Sequence, residues 1–507
     1  MRRRGGDLQV KAPVLLLVGL MLATPAAAQF TPPTPPAAQP GAAPRPEARG
    51  PDVPLSLPEA VALGLRQNRG IRSAYLNRVV QKFSLMVAEE KFEPNFTLDV
   101  GAQRDWAATR RAGTDISDRA SAGPTATLAL PTGGSITGAY SVVKGMERGA
   151  KAAQEGNSTW SVSLTQPLLR GAGLDVGMAS VRQARLSEKS NILALKGTVA
   201  DTVTNIVRAY YTFILAHQQA TIARNGLERA RNLMEVNRAL IAAGRMAENE
   251  IFQTESNVAN QELSVLDAEN SFETSRLALI TLLALDPRSN IIPAEEIQAE
   301  PVQVDLAVAQ DLAFSNRPDY LGQVIGLEQS RIALMLAENG ELWNLNLTAD
   351  RRGSRNGTSA AGAIVGHPDT MGSRIGVQLS IPLRDRAAQS TALGARVGLQ
   401  QAELSLEQLR ETVGQQIRDV VRDVSIRWRQ LELARRSRAL AEQSLEVEMI
   451  KLRNGRTTNF QVLSIENDLR TAETAELSAV IAYLNALATL DQQLGTTLDT
   501  WSISLND

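Results

Sequence analysis

Proline is missing from two long stretches of this 507-residue chain: Leu168 to Asp286, 119 residues, and Leu383 to the last residue, 125 residues. A helix interior excludes proline, which lacks the N–H and clashes with the preceding turn. Each stretch therefore predicts helix, broken once. The breaks are Ala242-Ala243-Gly244-Arg245 and Arg453-Asn454-Gly455-Arg456-Thr457-Thr458-Asn459. Gly or Asn ends one helix, and Ser, Thr or Asn caps the next. The result is two helical hairpins with unequal arms. The long helices are expected over 176–241 and 387–453 and the short ones over 249–284 and 459–494. About 65 residues at ~1.5 Å each make a rod of roughly 100 Å.

Apolar spacing indicates how these helices pack. Val199, Val203, Ile206, Tyr210 and Phe213 step by four and three, as do Val413, Ile417, Val420 and Val424, while Ile251, Val258, Val265, Phe272 and Leu279 recur every seventh position. That is coiled-coil patterning. Val207, Ile214 and Leu240 add a second apolar face, which belongs in a multi-helix wall. Aromatic residues make up only 4%, so the seams are built from Leu, Val, Ile and Ala.

Two further helices are expected at 57–91 and 306–340. The first opens on a Ser56/Glu59 capping box. Each runs into alternating segments, 95–166 and 343–381. Phe96, Leu98, Val100 and Ala102 alternate with Thr97, Asp99 and Gln103, and Trp160, Val162 and Leu164 with Ser161, Ser163 and Thr165. In the second half Trp343, Leu345 and Leu347 alternate with Asn344, Asn346 and Thr348, and Ile375, Val377, Leu379 and Ile381 with Arg374, Gly376, Gln378 and Ser380. One apolar and one polar face fit a barrel with lipid outside and water inside. Taken alone, the pattern also fits a soluble sandwich.

Residues 1–28 read as a cleaved secretory signal: Arg2, Arg3, Arg4 and Lys11, an apolar run from Val14 to Leu22, then Ala26-Ala27-Ala28. Residues 29–55 hold nine of the 22 prolines and form a spacer. The uncharged run Leu477–Leu490 is too short to span a bilayer as a helix, so any membrane crossing would use strands. The chain contains no cysteine, which excludes disulfides, thiolate metal sites and a lipidated N-terminal Cys. A net charge of -1 gives no basic field for nucleic acid.

The order helix, strands, long helix, short helix occurs twice, over 56–286 and 306–498, separated by a linker at 287–305 and followed by a tail at 499–507. Glu89 corresponds to Glu338, Leu98 to Leu347, Pro167 to Pro382, Gly244 to Gly455 and Glu255 to Glu466. The shrinking offset places an insert between the strands of the first half. It carries a hairpin signal over 125–143, centred on Pro131-Thr132-Gly133-Gly134. The two shorter helices of each half add up to one long helix, so each half supplies two columns of equal height.

These features together resemble the TolC-type outer-membrane efflux protein family. The resemblance covers Leu57 to about Leu498. It is carried by Leu57-Pro58-Glu59-Ala60-Val61-Ala62-Leu63-Gly64-Leu65 with Asn68, by Gln166-Pro167-Leu168-Leu169-Arg170-Gly171-Ala172-Gly173, and by the turns at Gly244 and Gly455. It implies a mainly α fold with a β membrane segment: coiled-coil hairpins forming a periplasmic tube, and strands joining a shared outer-membrane β-barrel. It further implies a homotrimer serving a periplasmic adaptor and an inner-membrane pump, with no catalysis and no cofactor. Gly244, Arg245, Gly455, Arg456, Thr457 and Thr458 would contact the adaptor at the hairpin tips. Glu250, Arg456, Gln461 and Ser464 would line the pore constriction, although Gln461 and Ser464 replace acidic residues usual there. His217 reads as a packed polar residue and His367 as exposed. Glu248, Glu250, Glu255, Arg435, Arg436 and Arg438 read as solvated or lumen-facing charges. The alternative is a periplasmic coiled-coil scaffold or adaptor without a barrel, which would have no need of apolar-outward strands.

Overall fold

The computed structural model describes residues 52–109, 113–148, 154–295, 297–357 and 367–505. The signal sequence at 1–28 and nearly all of the spacer lie outside the described residues. The first repeat comprises β1 (Asp52–Leu55), α1 (Leu57–Gln67), α2 (Arg69–Glu89), strands β2 (Asn95–Thr109), β3 (Gly113–Ala129), β4 (Ser135–Arg148) and β5 (Gln154–Pro167), the short α3 (Leu174–Gly177), the long α4 (Ala179–Ala242) and α5 (Glu250–Leu283). After β6 (Asn290–Pro293) the second repeat runs α6 (Leu306–Asn316), α7 (Pro318–Gly340), β7 (Asn344–Gly357), β8 (Thr370–Ser380), α8 (Arg386–Arg453), α9 (Asn459–Leu494) and α10 (Thr497–Thr500).

The four hairpin helices fall within three residues of the expected bounds, but the two preceding helices differ. Each is split, at Asn68 and at Arg317, 249 positions apart, the offset that relates Glu89 to Glu338. At Asn68 the side chain accepts from the Gly70 and Ile71 N–H groups, capping α2, and donates to the Leu282 carbonyl at 3.0 Å. At Arg317 the following proline holds the backbone extended (φ −63°, ψ 120°), and Pro318 takes the first helical position, where it is tolerated. The Arg317 guanidinium then reaches Asp319, Gln416 and Gln493, joining α7 to α8 and α9.

Two other expectations are corrected. Residues 52–55, placed in the spacer, pair in parallel with 290–293 of the linker. Both segments are pinned to the helices, since the Tyr210 hydroxyl donates to the Leu55 carbonyl at 2.8 Å. The tail at 499–507 begins inside a folded segment: Trp501, Ile503 and Leu505 pack on the first core cluster.

Heptad positions make the seams. Val199, Val203, Ile206, Tyr210 and Phe213 are fully buried, as are Val413 and Ile417. Along α4, α2 is tied by Arg78–Glu188 and Glu89–Arg185, and α5 further down by Arg224–Glu269 and Arg231–Glu262. Along α8, α7 is tied by Glu338–Arg396 and α9 by Glu476–Arg438. Two shorter helices thus cover successive lengths of each long one.

Strands β2 to β8 (without β6) form one antiparallel sheet in the order β2-β3-β4-β5-β7-β8. The insert is longer than expected: its hairpin spans 113–148, and both strands belong to this sheet. Register puts Leu128, Ile136, Leu164, Ala349 and Ile375 in one row on one face, and Thr127, Thr137, Ser163, Asp350 and Arg374 in the adjacent row on the other. On the apolar face Phe96 and Ile375 are 76% and 80% exposed.

Candidate functional site

The two hairpin tips have the same backbone closure. Gly244 N–H donates to the Ile241 carbonyl and Arg245 N–H to Leu240, both at 2.9 Å. Gly455 N–H donates to Leu452 and Arg456 N–H to Lys451, again both at 2.9 Å. This is a Schellman closure, which needs a left-handed residue at its apex. Gly244 (φ 67°) and Gly455 (φ 70°) supply it. The tips lie side by side, with the Arg245 guanidinium 3.6 Å from where a Cβ on Gly455 would stand.

Past the apex the tips diverge. Thr458 caps α9 by accepting from Gln461 N–H. The hydroxyl of Thr457 turns back to Glu448 at 2.5 Å, and Lys451 reaches the same carboxylate at 3.0 Å. These bonds hold the Glu448 carboxyl below its ordinary range, Thr457 first and Lys451 second. The first tip has no such latch, and Asn249 makes no side-chain cap bond. Arg456, Gln461 and Ser464 are exposed, and Glu250 is half-buried at the start of α5. The ion pairs described near the tips within one chain are Lys451–Glu448, Arg238–Glu235 at 3.1 Å and the long Arg238–Glu255 contact at 3.9 Å, none of which involves Arg456 or Glu250.

Behind the tips is a buried polar knot that sequence reading missed. Asn237 of α4 donates to Thr254 of α5 and to Asn459 of α9, both at 2.8 Å, and Asn459 donates to Thr254 at 3.2 Å. All three residues are buried, among Leu233, Leu452, Val462 and Leu463. Further up the α4–α9 seam, Arg229 meets Glu473 at 3.2 Å and Glu466 at 3.6 Å. Burial pushes the Glu466 carboxyl up, and Arg229 partly offsets this. Near the sheet end of the seam, Arg208 donates to Thr489 at 2.9 Å. Such polar rungs on a heptad seam fix which turn of one helix faces which turn of the next.

No protein-family model matches the chain. It is 22% identical over 352 residues to the outer membrane efflux protein BepC of Brucella suis, covering 68% of this chain and 73% of that protein. The CmeC outer membrane channel of Campylobacter jejuni superposes with a TM-score of 0.67 at 15% identity, covering 87% of this chain and 86% of that one. The outer membrane protein VceC of Vibrio cholerae superposes with a TM-score of 0.66 at 15% identity, covering 87% and 96%. The fold is that of the TolC-type outer-membrane efflux proteins.

Within this TolC-type fold His217 packs its ring on Phe272, 5.1 Å between centroids, and burial lowers its pKa. His367 is exposed. Arg435 and Arg438 converge on Glu476 of α9, a partner in the other arm of the hairpin that local charge spacing did not reveal. Among the described residues no helix is long and apolar enough to cross a membrane.

Proposed function

We propose that this protein is the outer-membrane exit duct of a tripartite efflux or type I secretion assembly. It acts as a homotrimer that passes substrates from a periplasmic adaptor and inner-membrane pump to the exterior, after export by a cleaved signal sequence. One observation carries this reading: among the described residues, both layers end unpartnered on the same two flanks. On one flank α2 exposes Leu76, Val80, Phe83 and Val87 at coiled-coil spacing, and it leads into the edge strand β2. On the other flank the edge strand β8 leads into α8, which exposes Ile426, Leu433, Leu440 and Val447 every seventh residue. Apolar stripes and open strand edges are both liabilities in water. A ring of copies, flank to opposite flank, covers both at once.

In that ring Gly244, Arg245, Gly455, Arg456, Thr457 and Thr458 face the adaptor. Glu250, Arg456, Gln461 and Ser464 surround the narrow periplasmic end, where Arg456 and Glu250 of neighbouring hairpins hold the closed state. Each exposed pair contributes only ~0.2–1 kcal/mol, repeated around the ring. Reconstitution into planar bilayers tests the duct: discrete conductance steps are expected, enlarged by Arg456→Glu, which sets like charges at the constriction. Absence of conductance would overturn the duct, and an Arg456→Glu channel identical to wild type would make Arg456 an ordinary turn residue.

A further inference from the structure

The two repeats contribute unequally to the sheet: β7 and β8 come from the second, and β2 to β5 from the first. The surplus is the hairpin β3–β4. We propose that this hairpin is a barrel-widening insert, so that each copy places six strands in the wall of the closed barrel and its edges β2 and β8 pair with the opposite edges of neighbouring copies. This rests on the exit-duct reading above and adds the size of its outer mouth.

The hairpin is built as wall. β3 pairs with β2 from Asn95↔Thr127 to Thr109↔Gly113, and β4 pairs with β5 from Ser135↔Thr165 to Met146↔Gln154. Its faces keep the phase of their neighbours. Leu128, Ala126, Ile136 and Val142 lie on the apolar face, and Thr125, Thr127, Thr137 and Ser141 on the polar one. A hairpin folded over the mouth or into the lumen would have no use for a lipid face. The strand interior is broken once: Gly123 and Pro124 leave the β3–β4 ladder unpaired opposite Tyr140 and Ser141, where a Cβ on Gly123 would stand 2.2 Å from the Tyr140 carbonyl oxygen.

Its turn is locked into the strand-to-helix junction of the first repeat. Gly173 N–H and the Gln166 amide donate to the Thr132 carbonyl at 3.1 and 3.2 Å, and the Thr132 hydroxyl donates to Gln166 at 2.8 Å. Gly133 and Gly177 are needed for contact, since a Cβ would come within 1.9 Å of the Gly171 carbonyl oxygen or 2.0 Å of that of Pro131. The Gln166–Gly173 motif therefore seats the insert.

Closure allows this insertion and constrains it. Six alternating strands leave β2 and β8 antiparallel to each other, so joining copies edge to edge keeps every ladder antiparallel, whereas an insert of one strand would not. The pairing row from Asn95 meets β7 at Asp350, six residues beyond its start, a stagger of the kind that tilted barrel strands require. At a strand spacing of about 4.8 Å and a tilt of about 40°, six strands span an arc of roughly 38 Å. Four helix columns at about 9–10 Å span roughly the same arc. A trimer then has eighteen strands and a backbone diameter of roughly 36 Å, where four strands per copy would give roughly 24 Å.

Electron cryomicroscopy of the detergent-extracted oligomer reads strands per subunit and subunit number independently. Six wall strands per subunit support the insert. Four, with residues 113–148 outside the wall, overturn it. A subunit number other than three counts against the trimer of the exit-duct reading and leaves the per-subunit count readable. Deleting Gly113–Arg148 joins β2 to β5 through residues 110–112 and 149–153. The expected result is a barrel about one-third narrower, and an unchanged diameter would overturn the proposal.

Discussion

The apex glycines are where single residues matter most. A side chain at Gly455 meets open space apart from Arg245, so its cost lies in the backbone: a left-handed conformation with a Cβ costs on the order of 1–2 kcal/mol. Gly455→Val is expected to reshape the second tip and lower export while leaving the oligomer assembled, read by substrate accumulation beside a heat-resistance gel. Normal export would show that this closure is dispensable. The glycines were legible in the sequence because a Schellman turn is written within six residues. The Thr457–Glu448 latch was not, because its two members lie nine residues apart and meet only once the turn has formed. Glu250, Arg456, Gln461 and Ser464 could be placed at the tips but not in a gate, because a gate is made of several copies.

At the scale of elements, proline-free length and heptad spacing located the four hairpin helices to within a turn. The break at Asn68 was hidden because it depends on a side-chain cap and on the long-range bond from Asn68 to Leu282. The break at Arg317 was legible in Pro318, which one helix over 306–340 would have had to hold in its interior. Asn237 and Thr254 were visible as polar residues in heptad phase, Asn237 between Leu233 and Leu240. Their meeting with Asn459 needs both hairpins. Asn237→Leu removes one corner of the knot and leaves Thr254 and Asn459 buried with fewer partners, so we expect a loss of about 1–3 kcal/mol and faster protease nicking near the tips. A change below about 0.5 kcal/mol in chemical denaturation would mean that the apolar cluster alone holds the two hairpins together.

Among the described residues two flanks of the molecule stand open, α2 with β2 and α8 with β8, and the proposed ring lets each cover the other. The duplication made the four-column plan legible, and strand alternation made the two-faced sheet legible. The number of wall strands was not, because the insert breaks the repeat symmetry and its partners are set by register. Leu433→Glu with Leu440→Glu puts charge on a stripe that is exposed in the single chain. The double variant should fold yet fail to yield heat-resistant oligomers on semi-native gels. Oligomers of wild-type stability would place the subunit contact elsewhere. The central claim is tested most directly by fractionating cells that express the protein and weighing the extracted species by native mass spectrometry. The account predicts an assembly of three chains in the outer-membrane fraction, and a single soluble chain in the periplasm would contradict it.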